Sequence, residues 1–285
     1  MLASLLLVIA VFVPLERLFA SRRQKFLREA FWTDLGYYFV SGLAPKILVI
    51  APMSLLAIAL HRTVPLGYYA FMGSVAAPIR LMCALVVGEI GYYWGHRWLH
   101  AVPVLWRFHA IHHEAERMDW LVNTRAHPID LVFGRLCSLV PIYVLGVAQP
   151  TRAHPDMVPV LFALIGSLWG FFVHANLNWR LGWLEAVVST PAFHHWHHSD
   201  DGPEFVGKNF STMLPWVDRL FGTFYLPPGL PATYGIGEVL PPNLLSQLVH
   251  PFLRERPSGT PPSGTPPPGA TRSYAGLDTK APSLS

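Results

Sequence analysis

Five long apolar stretches occupy most of the first 175 residues of this 285-residue chain. They cover approximately residues 2–20, 34–60, 76–95, 131–149 and 157–175. A helix of about 20 apolar residues crosses the hydrocarbon core of a bilayer. Charged residues make up only 13% of the chain, about half the usual share in a soluble protein. The sequence therefore predicts an all-α fold, a polytopic membrane helical bundle with about four or five transmembrane helices.

The distribution of positive charge predicts how the bundle is oriented. The loop between the first two apolar stretches contains five basic residues, namely Arg17, Arg22, Arg23, Lys25 and Arg28. Positive residues close to the ends of membrane segments favour the cytoplasmic side. Because each membrane crossing moves the chain to the opposite side, residues 96–130 and the residues after 176 are predicted to lie on the same cytoplasmic side. The opposite loops, near 61–75 and 150–156, are short and poor in lysine and arginine. Because the basic residues flank apolar segments, we expect contact with anionic lipid and no nucleic-acid partner.

Composition divides the chain into four parts. Residues 1–30 form an N-terminal membrane anchor and basic loop; the absence of a positive leader favours a retained anchor over a removed signal peptide, although 18–20 is a tolerable cleavage context. Residues 31–225 contain the membrane domain, and residues 226–255 a C-terminal extension. Residues 256–285 repeat a short Pro/Gly/Ser/Thr unit that can bury nothing, so we expect a disordered tail.

Ten of the fourteen histidines fall in four groups at the ends of apolar segments. The groups are His96 and His100; His109, His112 and His113; His174; and His194, His195, His197 and His198. Residues three or four apart share a helix face, so three groups repeat one local geometry and His174 bridges them. Structural burial of so many imidazoles is improbable, because each ring nitrogen needs a partner. The pattern predicts a binuclear metal site, carried by a helical cap on the cytoplasmic side of the bundle.

Carboxylates in the same segments are candidates to hold the second ring nitrogen of each ligand. They are Glu89, Glu114, Asp119, Asp130, Asp200 and Asp218. Glu114 and Asp200 are more simply explained as solvated loop residues. Asp218 stands out because it follows the last histidine group, within residues 216–223. The isolated histidines His61, His154 and His250 are predicted to be packed or pore-lining residues.

The ordered motifs HxxxH, HxxHH, a central histidine and HxxHH resemble those of the fatty acid hydroxylase / sterol desaturase superfamily, and most closely its bacterial sterol desaturase family members. The resemblance runs from about Trp32 to Thr223, some two thirds of the chain. It also covers the segments Leu105–His109, Arg125–Pro128, His174–Asn176 and Trp216–Thr223. Each motif alone is weak, but all in order with membrane segments between them are specific.

The resemblance implies nine metal ligands: His96, His100, His109, His112, His113, His174, His194, His197 and His198. Some members carry a second histidine four residues after the central one, where this chain has Asn178. Asn178 or His127 could complete a site directly or through water, and His127 could equally support a ligand. His195 faces away from His194, which favours a supporting or substrate-side position, and Asp218 is a further supporting candidate.

The activity implied is that of a membrane-bound non-haem di-iron oxidoreductase of the monooxygenase type. Two iron ions (Fe2+/Fe3+) would use O2 as co-substrate to hydroxylate, or desaturate, a C–H bond of a lipid such as a sterol or fatty acyl chain. Hydroxylation is preferred because it needs one hydrogen abstraction, and carotenoid and ether-lipid substrates stay open. The chain has no redox module of its own, so a separate donor, a ferredoxin or cytochrome with its reductase, is implied. The expected location is the bacterial inner membrane, with the active site on the cytoplasmic side.

Three other classes of protein compete with this interpretation. A His-rich membrane metal-binding or transport protein would line a path through the bilayer midplane, whereas these groups gather at one predicted membrane face. A bis-histidine haem protein needs only one or two axial ligands. A zinc hydrolase typically needs three protein ligands. The last two leave most of the histidines unexplained.

Overall fold

The computed structural model of the chain describes residues 1–148 and 156–253. His154, the tail 256–285 and most of the predicted 150–156 loop lie outside the described residues. Within them the regular structure is helical, with two isolated β-bridges and no strand. The α-helices of these ranges are α1 Leu2–Phe19, α2 Phe31–Leu48, α3 Ile50–Thr63, α4 Leu66–Ser74, α5 Ala77–Ala101, α6 Pro103–His113, α7 Pro128–Val144, α8 Met157–His174, α9 Pro191–His197, α10 Trp216–Phe221 and α11 Leu244–Leu253.

Three helical units among the described residues are long and apolar enough to cross a membrane, or four if a bent pair is counted as one span. They are α1, the unit Phe31–Thr63 formed by α2 and α3, and α8. The helix breaks at Val49, within a turn of Pro45, whose ring removes a backbone donor and clashes with the preceding turn. The apolar 34–60 stretch thus contains a helix break.

The bent pair consists of α4 and α5, which meet at an angle of 109°. The predicted 76–95 stretch lies in α5. The predicted 131–149 stretch corresponds to α7, a helix of 17 residues that packs along α5. Ser138 Oγ donates to Gly88 O at 3.0 Å, and a Cβ on Gly95 would lie 2.7 Å from Cys137 Cβ. Small residues thus allow the two helices to approach closely.

The surface of the apolar helices is itself apolar. On α1, Leu5, Val8 and Phe12 are buried, whereas Leu2 and Leu6 are exposed. The buried side packs against a cluster that contains Trp120 and Phe171. In water this exposed face would oppose folding, but in lipid it carries no such cost. The apolar helices and their exposed surfaces are those of a membrane protein.

A tight turn and a capped helix start position the histidine-bearing elements. α5 ends at Ala101 and α6 begins at Pro103, so His96 and His100 come to face α6 across the turn at Val102. Thr190 caps α9 by accepting from Phe193 N, and proline occupies the first turn of that helix. These local signals fix where each short, histidine-rich helix begins.

Candidate metal centre

Five histidines from three helices form the first group of potential ligands. Each offers one ring nitrogen, and these nitrogens all lie within 4.8 Å of one another; the residues are His96, His100, His109, His113 and His197. His96 and His100 project from one face of α5, and His109 and His113 from one face of α6. Ring nitrogens Nε2 of His96, His100 and His113 each lie 3.1 Å from His109 Nε2.

Four histidines form the second group, and their nitrogens satisfy the same 4.8 Å limit; they are His112, His174, His194 and His198. His112 lies on α6, His174 at the end of α8, and the other two at the end of α9. The groups adjoin, since the rings of His113 and His198 stack at 4.3 Å between centroids. All nine predicted ligands are thereby brought into one double cluster, and each belongs to one group only.

The hydrogen bonds of the outer ring nitrogens determine what the inner nitrogens carry. His96 Nδ1 donates to Phe210 O at 2.7 Å, and His109 Nδ1 donates to Asp130 Oδ2 at 3.0 Å. A neutral imidazole has one proton, so the Nε2 atom of each ring presents a lone pair. These two Nε2 atoms are 3.1 Å apart with no proton to share. A cation placed between them would remove this repulsion.

The second group shows the same arrangement independently. His174 Nδ1 donates to Gly170 O at 2.7 Å, and His112 Nδ1 donates to Arg125 O at 3.0 Å. Their Nε2 atoms face each other at 3.2 Å. With metal–nitrogen bonds of about 2 Å, adjacent ligand nitrogens lie about 3 Å apart. The observed spacing therefore fits ligands that surround an ion in each group.

A buried ring nitrogen without a hydrogen-bond partner also indicates metal ligation. His197 Nδ1 donates to Lys208 O at 2.8 Å, and His197 Nε2 is buried with no partner in the structure. A buried imidazole nitrogen left unpaired is costly, and metal ligation removes that cost. The donor set, made only of nitrogen, suits first-row transition metals and disfavours magnesium or calcium, which prefer oxygen.

Burial keeps the rings neutral. It lowers the pKa of His112 to about 4, with neighbouring His109 as the next cause. Burial likewise holds the pKa values of His113, His194, His197 and His198 well below the usual value, and their histidine neighbours lower them further. The rings therefore carry free lone pairs at neutral pH, which is the state that a metal ion binds.

Asp218 and Glu89 hold the loop that positions His96. Asp218 accepts from Phe210 N at 2.7 Å and from Ser211 N at 2.9 Å, and Glu89 accepts from Met213 N at 2.6 Å. Phe210 O is the acceptor for His96, so both carboxylates act on that ring through the loop. Among the six carboxylate candidates, Asp130 contacts a candidate ligand ring directly, through His109 Nδ1.

Two histidine candidates lie outside the cluster because both ring nitrogens are engaged. His127 Nδ1 accepts from Ile129 N and its Nε2 donates to Leu248 O at 3.1 Å. His195 Nε2 donates to Ala175 O, and Tyr234 OH lies 3.0 Å from its Nδ1. His127 therefore caps α7. The expectation that His195 faces away from His194 agrees with this geometry.

Asn178 is exposed and lies outside α8, and its part in the site stays a prediction. The expectation for Glu114 needs correction. Glu114 is not a freely solvated carboxylate, since it pairs with Arg125 and accepts from Gln247. Asp119 caps residues 120–124 and pairs with Arg28, while Asp200 lies in a loop joined to Thr233 O. His61 is exposed and His250 is half-buried.

A buried ion-pair network beside the second group was missed in the sequence. Asp34, fully buried on α2, pairs with both Arg28 and Arg125. Arg125 supplies the carbonyl that holds His112, so the network reaches a candidate ligand through the backbone. An ionisable residue inside a long apolar stretch indicates a functional site, so Asp34 could have been selected as a candidate from the sequence.

Fold and cluster together define a class of protein: helical membrane proteins with a histidine cluster suited to two metal ions. The sequence model described as "Fatty acid hydroxylase" matches residues 81–223, half of the chain. The matched range contains all nine clustered histidines. The chain belongs to the fatty acid hydroxylase family.

Curated relatives are lipid-modifying enzymes by name. The chain is 36% identical to the ornithine lipid hydroxylase OlsE of Rhizobium tropici over 184 residues, which is 62% of this chain and 51% of that protein. It is 31% identical to the alkylglycerol monooxygenase of Danio rerio over 136 residues, 48% of this chain and 28% of that protein. A Gibberella zeae protein named Delta(7)-sterol 5(6)-desaturase ERG3B shares 28% identity over 148 residues, 50% and 41% of the two chains.

The chain spans about half the length of the hydroxylase and about a quarter of the monooxygenase. The aligned portions therefore cover only part of each relative. No solved structure matches the chain significantly.

Proposed function

We propose that the protein is a membrane-bound di-iron oxygenase that uses O2 to hydroxylate a C–H bond of a lipid, with desaturation as the related outcome. One observation carries the proposal: in each of two adjoining groups, two imidazole rings that donate outward through Nδ1 face each other with Nε2 atoms 3.1 or 3.2 Å apart. A pair of cations is what such an arrangement binds.

Iron is the metal that fits both this donor set and the chemistry. Histidine nitrogens suit Fe2+ among several first-row metals. When bound, two irons supply the reduction of O2 and the insertion of one oxygen atom into a C–H bond, while the second oxygen leaves as water with electrons from outside the chain. Nine ligands divide five to four, so the two positions differ in donor number and in environment.

The residues of the chain orient the ligands and exclude water. Asp130 and the four carbonyls of Phe210, Arg125, Gly170 and Lys208 hold five rings with their inner nitrogens directed into the cluster. The carboxylate of Asp130 also fixes the tautomer and the orientation of the His109 ring. Eight of the nine ligand rings are buried, which keeps bulk water from the reacting atoms.

A lipid is the proposed substrate because the cluster lies at the ends of apolar helices and the relatives are named for lipid substrates. Hydroxylation is favoured because the two most similar of these carry hydroxylase or monooxygenase names. Sterol, fatty acyl, carotenoid and ether-lipid chains are all candidates. The proposed electron source is a separate ferredoxin or cytochrome with its reductase.

The proposed location is the bacterial inner membrane, with the cluster on the cytoplasmic side. The basic loop between α1 and α2 supports this orientation. Within it, Ser21 Oγ donates to Asn176 Oδ1 at 2.6 Å, two residues after candidate ligand His174. The loop and the cluster thus share one end of the bundle.

Lipid profiling with isotopic oxygen tests this function. Host cells would express the wild type, His112→Ala or, as a matched control, His61→Ala, whose ring is exposed outside the cluster. Under 18O2, we expect wild-type and His61→Ala cells to accumulate a lipid that carries one 18O atom, and His112→Ala cells to lack it. A new desaturated lipid without 18O would support the desaturase outcome. Identical lipid profiles in all three strains, with the protein and a suitable donor present, would contradict the proposal.

A further inference from the structure

The helix α11 is apolar on its outer side as well as on the side that packs against the bundle. On the inner side, Leu244 and Leu248 pack against a buried apolar cluster. On the outer side, Leu245 and Phe252 are 74% and 61% exposed, and Val249 and Leu253 are exposed on the same face, since residues three, four and seven apart share a face. A helix that faces water is polar on its outer side. The outer face of α11 is therefore suited to an apolar solvent.

Specific contacts fix this orientation on the inner side. Gln247 Nε2 donates to Glu114 Oε2 at 2.8 Å, and Leu248 O accepts from His127 Nε2 at 3.1 Å. Leu244 reaches Gly36 so closely that a Cβ there would lie 2.8 Å from Leu244 Cδ2. Rolling the helix to bury its exposed leucines would break all three contacts.

The position of α11 relative to α2 indicates what covers its outer face. Thr33 Oγ1 donates to Pro242 O at 3.1 Å, so α11 attaches to the first two turns of α2. There the apolar unit Phe31–Thr63 begins, directly after the basic loop. Trp32, at the same level, is 70% exposed, as is typical of tryptophan in the headgroup zone. The exposed face of α11 thus continues the lipid-facing surface of α2.

We propose that α11 lies in the plane of the membrane interface, with Leu245, Val249, Phe252 and Leu253 in contact with the acyl chains of the bilayer. Its ten residues are too few to cross the hydrocarbon core, and a short helix with one apolar face binds at the headgroup boundary. Phe252 also packs on Phe108, 5.4 Å away, next to candidate ligand His109. The interface helix α11 therefore packs against the histidine-bearing helix α6 from the lipid side.

Spin-label accessibility tests this placement. The full-length protein, with Cys83 and Cys137 replaced by alanine, would carry one label through Val249→Cys or Leu245→Cys in nanodiscs of phosphatidylcholine and phosphatidylglycerol. Ile58→Cys, exposed on α3 within a candidate span, is the lipid reference, and Glu116→Cys, exposed after α6, is the aqueous reference. We expect both α11 labels to collide several-fold more often with O2 than with a water-soluble nickel chelate, as at Ile58.

Two outcomes would overturn the proposal. Labels at 245 and 249 that behave like the one at Glu116 would place the face in water. Labels shielded from both reagents, with strong dipolar coupling between labelled chains, would show that a second copy covers it. Because accessibility does not depend on bound metal or turnover, this result is separate from the test of the oxygenase activity.

Discussion

The hydrogen bonds of the ring nitrogens distinguish five of the nine candidate ligands from the two buried histidines outside the cluster. Five rings donate outward through Nδ1 and direct a lone pair inward, whereas His127 and His195 use both nitrogens elsewhere. His194 and His195 are neighbours in sequence, yet only His194 enters a group. The distinction is invisible in composition and follows from the helical position of each ring.

Replacing Asp130 tests the carboxylate that contacts a ligand ring. Asp130→Asn would weaken the charge-assisted bond to His109 Nδ1, and we expect metal affinity to fall by about 10–100-fold, the usual effect of losing such a partner. Competition with a chelator, read by metal analysis, measures this. Glu204→Gln, at an exposed loop position, is the control. Equal metal retention in the two variants would contradict the role assigned to Asp130.

The neighbouring pair His194 and His195 supplies a second test. His194→Ala removes a ligand nitrogen from the four-histidine group, so we expect bound metal to fall from two ions per chain toward one. His195→Gln, which keeps a polar side chain beside Tyr234 and Ala175 O, should retain both ions. Metal analysis of the purified variants gives the count. The reverse pattern would show that the ligand assignment in α9 is wrong.

The family resemblance implied the nine histidines that cluster, and helical spacing explains why residues three and four apart within a motif face the same way. The hydrogen-bond partners of the outer ring nitrogens were harder to predict from the sequence, since four of the five are backbone carbonyls that no side-chain pattern reveals. Asp130 was one of six carboxylate candidates and could not be singled out. The Asp34 network was missed because its arginine partners are 6 and 91 residues away in sequence.

At the scale of elements, the close packing of α5 on α7 positions two candidate ligands of the first group. The C-terminal half of α5 carries His96 and His100, and its glycines face α7. The 34–60 and 131–149 stretches show the limit of hydropathy: one is broken at Val49, and the other is a 17-residue helix against α5. Tertiary packing sets such boundaries, and a hydropathy window averages over them.

Two helix glycines provide a matched test of this packing. A methyl group at Gly95 would overlap Cys137, 2.7 Å from its Cβ, whereas nothing lies within 4 Å of the same position at Gly166. We expect Gly95→Ala to lower the free energy of unfolding by about 1–3 kcal/mol, as overpacking does. Gly166→Ala should be neutral or slightly stabilising, because alanine favours helix. Thermal unfolding in detergent measures both, and equal midpoints would argue against tight α5–α7 contact.

At the scale of the whole molecule, buried neutral histidines link stability to pH. Burial lowers the pKa of His112 and of His195 to about 4, against about 6.5 in the unfolded chain. Between these values the unfolded chain binds protons that the folded protein does not, so acid favours unfolding.

We therefore expect metal-free protein to lose stability steadily as the pH falls from about 6.5 to about 4, with little change between 7 and 8. Denaturant midpoints across this range measure the effect. His195→Gln removes one of the titrating rings outside the ligand set and should flatten the slope. A midpoint that rises on acidification would contradict the burial of neutral rings.

The basic loop and the clustered histidines lie at one end of the apolar bundle, and the proposed interface helix α11 lies beside them. The double histidine cluster is expected to hold two ions. Metal analysis of purified full-length protein, reconstituted anaerobically with Fe2+, measures that number. We expect two irons per chain and no haem absorption band; a saturating value of one iron or none, with the protein folded, would show that the cluster does not hold a pair of ions.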